Sequence, residues 1–155
     1  MDRPELNEDF LDLLRALVEA KVAFVIVGAH ALAAHGYPRA TGDLDVLVEP
    51  TPGNAARVIA ALESFGAPLA AHGVSRGDFE VADNVYQIGL PPRRIDLLTS
   101  ITGVSFEEAR ATQLIVEVAG VKLPVLGRAA LVKNKRATGR PKDLVDADAL
   151  ERKAP

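Results

Sequence analysis

Three aspartates carry the chemistry that this sequence could perform. In Thr41-Gly42-Asp43-Leu44-Asp45-Val46-Leu47-Val48, two carboxylates stand two residues apart at the head of an apolar run. Extended backbone puts such residues on one face, so Asp43 and Asp45 project side by side while Leu44, Val46 and Val48 turn the other way into a core. Like charges this close oppose each other's ionisation unless a cation lies between them, and hard carboxylate oxygens suit Mg²⁺ or Mn²⁺. The third acid, Asp96, sits in Arg94-Ile95-Asp96-Leu97-Leu98 among mostly apolar neighbours, where a carboxylate needs a partner. If the two strands pair in matching register, the three carboxylates converge on a site for two metal ions. Such a site positions a triphosphate, activates an attacking hydroxyl and neutralises leaving pyrophosphate. A lone Asp-x-Asp also begins strands and closes turns. What favours metal here is the third acid, together with an upstream strand that ends at Gly28 ahead of a helix, a place where backbone N–H groups receive phosphate oxygens.

The elements that must hold these residues are legible as periodicities. Phe10, Leu11, Leu13, Leu14, Leu17 and Val18 recur at helical spacing behind Asn7 or Glu8. Val22 to Val27 is a β-branched apolar run that reads as a buried strand closed by Gly28, and Ala29 to Ala34 is a short helix ending at Gly36. After a turn over Tyr37 to Gly42, Leu44 to Glu49 resumes a strand. Thr51-Pro52 then opens a helix that Gly66 stops. Ala67 to Asn84 reads as a loop with one edge strand. Val85 to Leu90 and Arg94 to Leu98, around Pro91-Pro92, read as an antiparallel hairpin. A helix over Phe106 to Ala111, strands Gln113 to Val118 and Val121 to Val125 around Ala119-Gly120, and helices Arg128 to Ala137 and Lys142 to Leu150 complete the chain. Strands mixed with helices, without repeat or linker, predict a single α/β or α+β domain over residues 1–155 with a mixed sheet flanked by helices.

Composition narrows the function classes. No cysteine is present, which excludes disulfides, thiolate zinc sites and thiol nucleophiles and suits a reducing cytoplasm. The start Met1-Asp2-Arg3-Pro4-Glu5 lacks the pattern of a signal peptide, and no apolar stretch approaches the roughly 18 residues of a membrane span, so a cytoplasmic location without membrane contact is expected. A net charge of −3 argues against a broad basic face for nucleic acid, although Arg128, Lys133, Lys135, Arg136, Arg140 and Lys142 form a local basic stretch. On base rates Arg128, Lys133 and Arg136 are a solvated helix face, and Asp146 and Asp148 need no account beyond the helix dipole. His30 and His35 lie roughly 140° apart on a helix and form no paired metal face; His72 has no assignable role.

The run Val25-Ile26-Val27-Gly28-Ala29-His30-Ala31-Leu32, then His35-Gly36, then Pro38-Arg39-Ala40-Thr41-Gly42-Asp43-Leu44-Asp45 resembles the nucleotidyltransferase superfamily, in particular small bacterial members related to abortive-infection nucleotidyltransferase toxins. Arg94 to Leu98 looks like that family's third-acid strand, Gly103 to Ala109 matches its style, and Lys135-Arg136-Ala137-Thr138-Gly139-Arg140-Pro141-Lys142-Asp143 resembles its helix-break-helix segment, so the likeness runs from about Val22 to Leu150. It implies the minimal nucleotidyltransferase fold, with Asp43 and Asp45 as metal ligands and Asp96 as the acid that helps activate the acceptor hydroxyl. It places Gly28 and Ala29 along the triphosphate of an NTP such as ATP, and Lys135, supported by Arg140, Lys142 and Asp143, on the nucleotide phosphates. Arg39 and Thr41 would orient the loop or touch phosphate. Many members carry Gly-Ser after the first strand; Gly28-Ala29 must rely on backbone N–H groups or on His30. The acceptor (RNA, protein or small molecule) stays open, as do an antitoxin-like partner and a homodimer covering a free sheet edge. An inactive nucleotide- or partner-binding module is the rival reading, and an interaction protein with incidental acids a third.

Overall fold

The computed structural model describes residues 7–37 and 42–152. Arg39 and Thr41, expected beside the acids, lie outside the described residues. The chain opens with α1 (Glu8–Glu19), where the Asn7 carboxamide accepts from the Phe10 N–H at 2.9 Å and so satisfies one of the free donors of the first turn. Phe10, Leu13, Leu14 and Leu17 line its buried stripe, each large apolar side chain contributing about 2 kcal/mol by leaving water.

Strand β1 (Phe24–Val27) runs directly into α2 (Gly28–Ala34), and β2 (Leu44–Val48) returns antiparallel beside β1. Helix α3 (Pro52–Phe65) begins with Thr51 accepting from the Asn54 N–H and Pro52 in the first turn, then ends at Gly66 in the left-handed region. The segment expected to hold an edge strand contains none among its described residues. It forms α4 (Leu69–His72) and a 3-10 turn over Arg76–Phe79, because Pro68 and Gly73 bracket a stretch too short to span the sheet and Phe79 anchors it by burial. His72 gains a role there, since its Nδ1 lies 2.8 Å from the Tyr86 hydroxyl.

Strands β3 (Val85–Ile88) and β4 (Ile95–Leu98) form the expected antiparallel hairpin. Helix α5 (Phe106–Ala111), capped by Ser105, leads into the hairpin of β5 (Leu114–Val118) and β6 (Val121–Val125). Ala119 and Gly120, both at positive φ, make the two-residue turn whose twist suits a hairpin. Helices α6 (Arg128–Thr138) and α7 (Pro141–Arg152) finish the chain.

The six strands form one mixed sheet in the order β3-β4-β2-β1-β6-β5, with β2–β4 and β1–β6 parallel and the other pairs antiparallel. The α/β expectation with a mixed sheet flanked by helices therefore holds. On β2, Leu44, Val46 and Val48 are buried as expected and so is Leu47 on the alternate face, so this strand is covered on both faces beyond the acids.

One buried polar side chain holds the start of β1 in place. Asn54 accepts from the Ala23 N–H at 2.7 Å and donates to the carbonyls of Ala23 and Glu49 at 3.1 and 3.0 Å. Asn54→Ala leaves the Ala23 N–H without that acceptor, and a loss of about 2 kcal/mol is expected. In thermal unfolding this reads as a Tm lower by roughly 4–8 °C.

Candidate active site

Parallel pairing of β2 with β4 sets Asp45 opposite Asp96, and antiparallel pairing with β1 sets Asp45 opposite Val27, the residue before Gly28. Neighbours in register point to the same face, so the second and third acids stand side by side about 4.8 Å apart along the sheet. Asp43 lies two residues ahead of Asp45, at the mouth of β2. The three acids picked out by spacing are thus brought to one place. Gly28 closes it: a Cβ there would run into the Asp45 carboxylate, and its φ of +69° disfavours any side chain. The glycine therefore lets the β1–α2 backbone touch the acid.

Arg94, which the sequence reading passed over as a strand residue, stands just ahead of β4. Its Nε donates to Asp96 Oδ1 at 2.9 Å and its Nη2 to Asp96 Oδ2 at 3.3 Å, while Nη2 also lies 3.2 Å from Asp43 Oδ2. The Arg94 backbone N–H donates to Asp43 Oδ1 at 3.3 Å, and its carbonyl accepts from the Leu44 N–H at 2.9 Å. The only sequence signal for this was an arginine two positions before a strand acid, where alternation puts both on one side.

Whether these oxygens suit a divalent cation can be judged from what they already hold. A guanidinium bridges two of the acids, and the third, Asp45, is pushed up to about 7, first by burial and then by the charges of Asp96 and Asp43, with Arg94 acting in the opposite sense. A cluster short of positive charge, made of hard oxygens, matches Mg²⁺ or Mn²⁺ in donor chemistry. As the side chains stand around Arg94, no group of three or more His, Cys, Asp or Glu among the described residues is arranged to enclose a metal ion.

No protein-family model matches the chain, and no curated protein matches it. Six chains of known structure do. One is the crystal structure of a "putative nucleotidyltransferase" from Thermotoga maritima, 14% identical, with a TM-score of 0.57 over 98% of this chain and 97% of that one. The chain has a nucleotidyltransferase-like fold. At this identity the likeness is one of fold, and the residues of the site speak for themselves.

In this nucleotidyltransferase-like fold the basic C-terminal stretch forms a second cluster. Lys135 is buried, with Nζ 3.4 Å from Asp143 Oδ1 and 3.2 Å from Asp146 Oδ2. Burial alone would raise the Asp143 carboxyl, but hydrogen bonds from Thr138 and Arg140 and the charges of Lys135 and Arg140 hold it below the usual range. Lys135 thus neutralises two carboxylates between α6 and α7, and Asp146 is an interior partner where the helix dipole had sufficed as its account. Lys142 is exposed, and Arg140, bonded to Asp143, keeps a 75% exposed side chain. Lys133 and Arg136 pair on the surface with Glu108 and with Asp148 and Glu151, as a solvated face should, whereas Arg128, expected on the same face, is half-buried with its Nε withdrawn from solvent. His30, offered as a substitute for the missing serine, packs edge-on against Phe10 at 5.7 Å; burial lowers its pKa, and its Nε2 has no hydrogen-bond partner among the described residues. His35 Nε2 donates to the Leu126 carbonyl at 2.8 Å.

The raised Asp45 carboxyl makes a pH prediction for protein kept in chelator. An acid whose folded pKa exceeds its unfolded value near 3.8 makes the folded state the better proton acceptor, so its contribution to stability declines as pH rises from about 4 to about 7. Asp45→Asn removes that penalty. The variant is expected to be more stable than wild type at pH 8 by on the order of 3 kcal/mol, with the difference vanishing near pH 4, as urea titrations at the two pH values would measure.

Proposed function

We propose that this protein transfers a nucleoside monophosphate from a nucleoside triphosphate to an acceptor hydroxyl, with release of pyrophosphate. The observation that carries the reading is the register of Asp45 with Asp96, with Asp43 at the mouth of the same strand and Gly28 against the Asp45 carboxylate. In this reading Asp43, Asp45 and Asp96 hold Mg²⁺ or Mn²⁺, which supplies charge neutralisation for the triphosphate and for the leaving group. Asp96 takes the proton of the acceptor hydroxyl as its oxygen bonds to the α-phosphorus and the bond to the β-phosphate oxygen breaks. Gly28, whose backbone lies against the Asp45 carboxylate, is assigned to line the triphosphate. Lys135 is assigned to positioning: with both buried carboxylates as partners, it fixes α6 against α7, while Arg140 and Lys142 face solvent.

The test is thermal unfolding with each of the four nucleoside triphosphates, in Mg²⁺ and in EDTA. At a hundred times Kd a ligand specific for the folded state adds about 2.7 kcal/mol, so a Mg²⁺-dependent rise in Tm of roughly 5–10 °C is expected for at least one triphosphate. Absence of a shift with all four, in both conditions, would overturn the reading and leave a partner-binding module of the same fold.

A further inference from the structure

We propose that Arg94 is the resident counter-cation of the acid cluster, and that it exchanges its carboxylate partners for the phosphates of the nucleotide when metal and triphosphate bind together. This rests on the nucleotidyltransferase reading above and adds the residue that couples metal to nucleotide.

The geometry is that of a plug. One guanidinium spans Asp96 through two contacts, at 2.9 and 3.3 Å, and reaches Asp43 at 3.2 Å, so it sits on two of the three carboxylates that a divalent cation needs. A cation on those oxygens competes with Arg94 for them, because the guanidinium already engages both Asp96 oxygens and one of Asp43 and the two positive charges repel each other at that distance. Metal arriving alone must therefore break a forked ion pair and strand the guanidinium. Metal arriving with a triphosphate brings a replacement, since phosphate oxygens accept the same planar fork.

The position allows the exchange. Arg94 lies outside β4, its side chain is 29% exposed, and its backbone stays fixed by the Leu44 N–H and by the Asp43 carboxylate. The side chain can swing while the strand ladder beneath it stays intact. By linkage, what makes nucleotide help metal also makes metal help nucleotide by the same factor.

Binding of Mn²⁺, followed by electron paramagnetic resonance, tests the coupling with wild type, Arg94→Gln and Arg94→Lys, each with and without the non-transferable analogue α,β-methylene-ATP. Arg94→Gln is expected to bind Mn²⁺ alone at least tenfold more tightly than wild type, and to lose most of the extra tightening that the analogue gives wild type. Arg94→Lys, which keeps the charge and lacks the fork, falls between them; should the glutamine variant fail to fold, the lysine variant carries the test. Mn²⁺ affinity that is unchanged or weaker in the variants would overturn the proposal and leave Arg94 a brace between β2 and β4. A wild type that binds no Mn²⁺, with or without the analogue, would remove the nucleotidyltransferase reading itself, and the coupling with it.

Discussion

Asp45→Asn is expected to slow nucleotidyl transfer by about a thousandfold, measured as incorporation of α-labelled nucleotide under saturating Mg²⁺, while the protein stays folded. The carboxylate is the central member of the cluster: Asp96 stands in register beside it, Asp43 lies two residues before it, and the Gly28 backbone rests against it. An amide keeps the shape and one oxygen but removes the charge that would hold a divalent cation, and losing one preorganised electrostatic contact to a transition state costs about 4 kcal/mol. Because the same change relieves crowding of like charge in the metal-free protein, loss of activity and gain of stability at pH 8 should appear in one variant. A damaged fold could not produce that combination. A variant that transfers at the wild-type rate would remove Asp45 from the reaction.

Lys135→Met is the second large effect, and it falls on stability. The substitution keeps the aliphatic stem but leaves Asp143 and Asp146, both buried, without their shared ammonium. Removing one partner from a buried ionic cluster costs about 3–5 kcal/mol, far more than an exposed pair such as Lys133–Glu108 contributes. Tm should fall by on the order of 10 °C at pH 7. The sign with pH follows from Asp143, whose carboxyl is held below its ordinary value: the stabilisation it supplies is present above its unfolded pKa and is lost as pH falls through the folded one. The deficit of the variant should therefore narrow below pH 4, as Asp143 takes up its proton. A lysine that served only to touch phosphate would show no such loss of stability, and a near-wild-type Tm would return Lys135 to the nucleotide.

Membrane association plays no part in these expectations, and among the described residues no helix is long and apolar enough to cross a bilayer.

What the sequence determined by itself is what short-range chemistry can write. Asn7, Thr51-Pro52 and Gly66 mark helix ends because a cap works through hydrogen bonds to backbone three residues away or through a local dihedral. The spacing of Asp43 and Asp45, and the apolar frame around Asp96, were visible because strand alternation is a property of neighbours. The short helix at Leu69–His72 was missed because four residues carry no period and its hold on the fold is tertiary. Only the folded chain decided that β4 lies parallel to β2 with Asp96 beside Asp45, since strand order depends on contacts some fifty residues apart. The same holds for the partners of the charges. Arg94 on Asp43 and Asp96, and Lys135 on Asp143 and Asp146, were open choices in the sequence, where any cation could serve any acid. Burial settled them, because a charge withdrawn from water must be met by the opposite charge that the packing brings within reach.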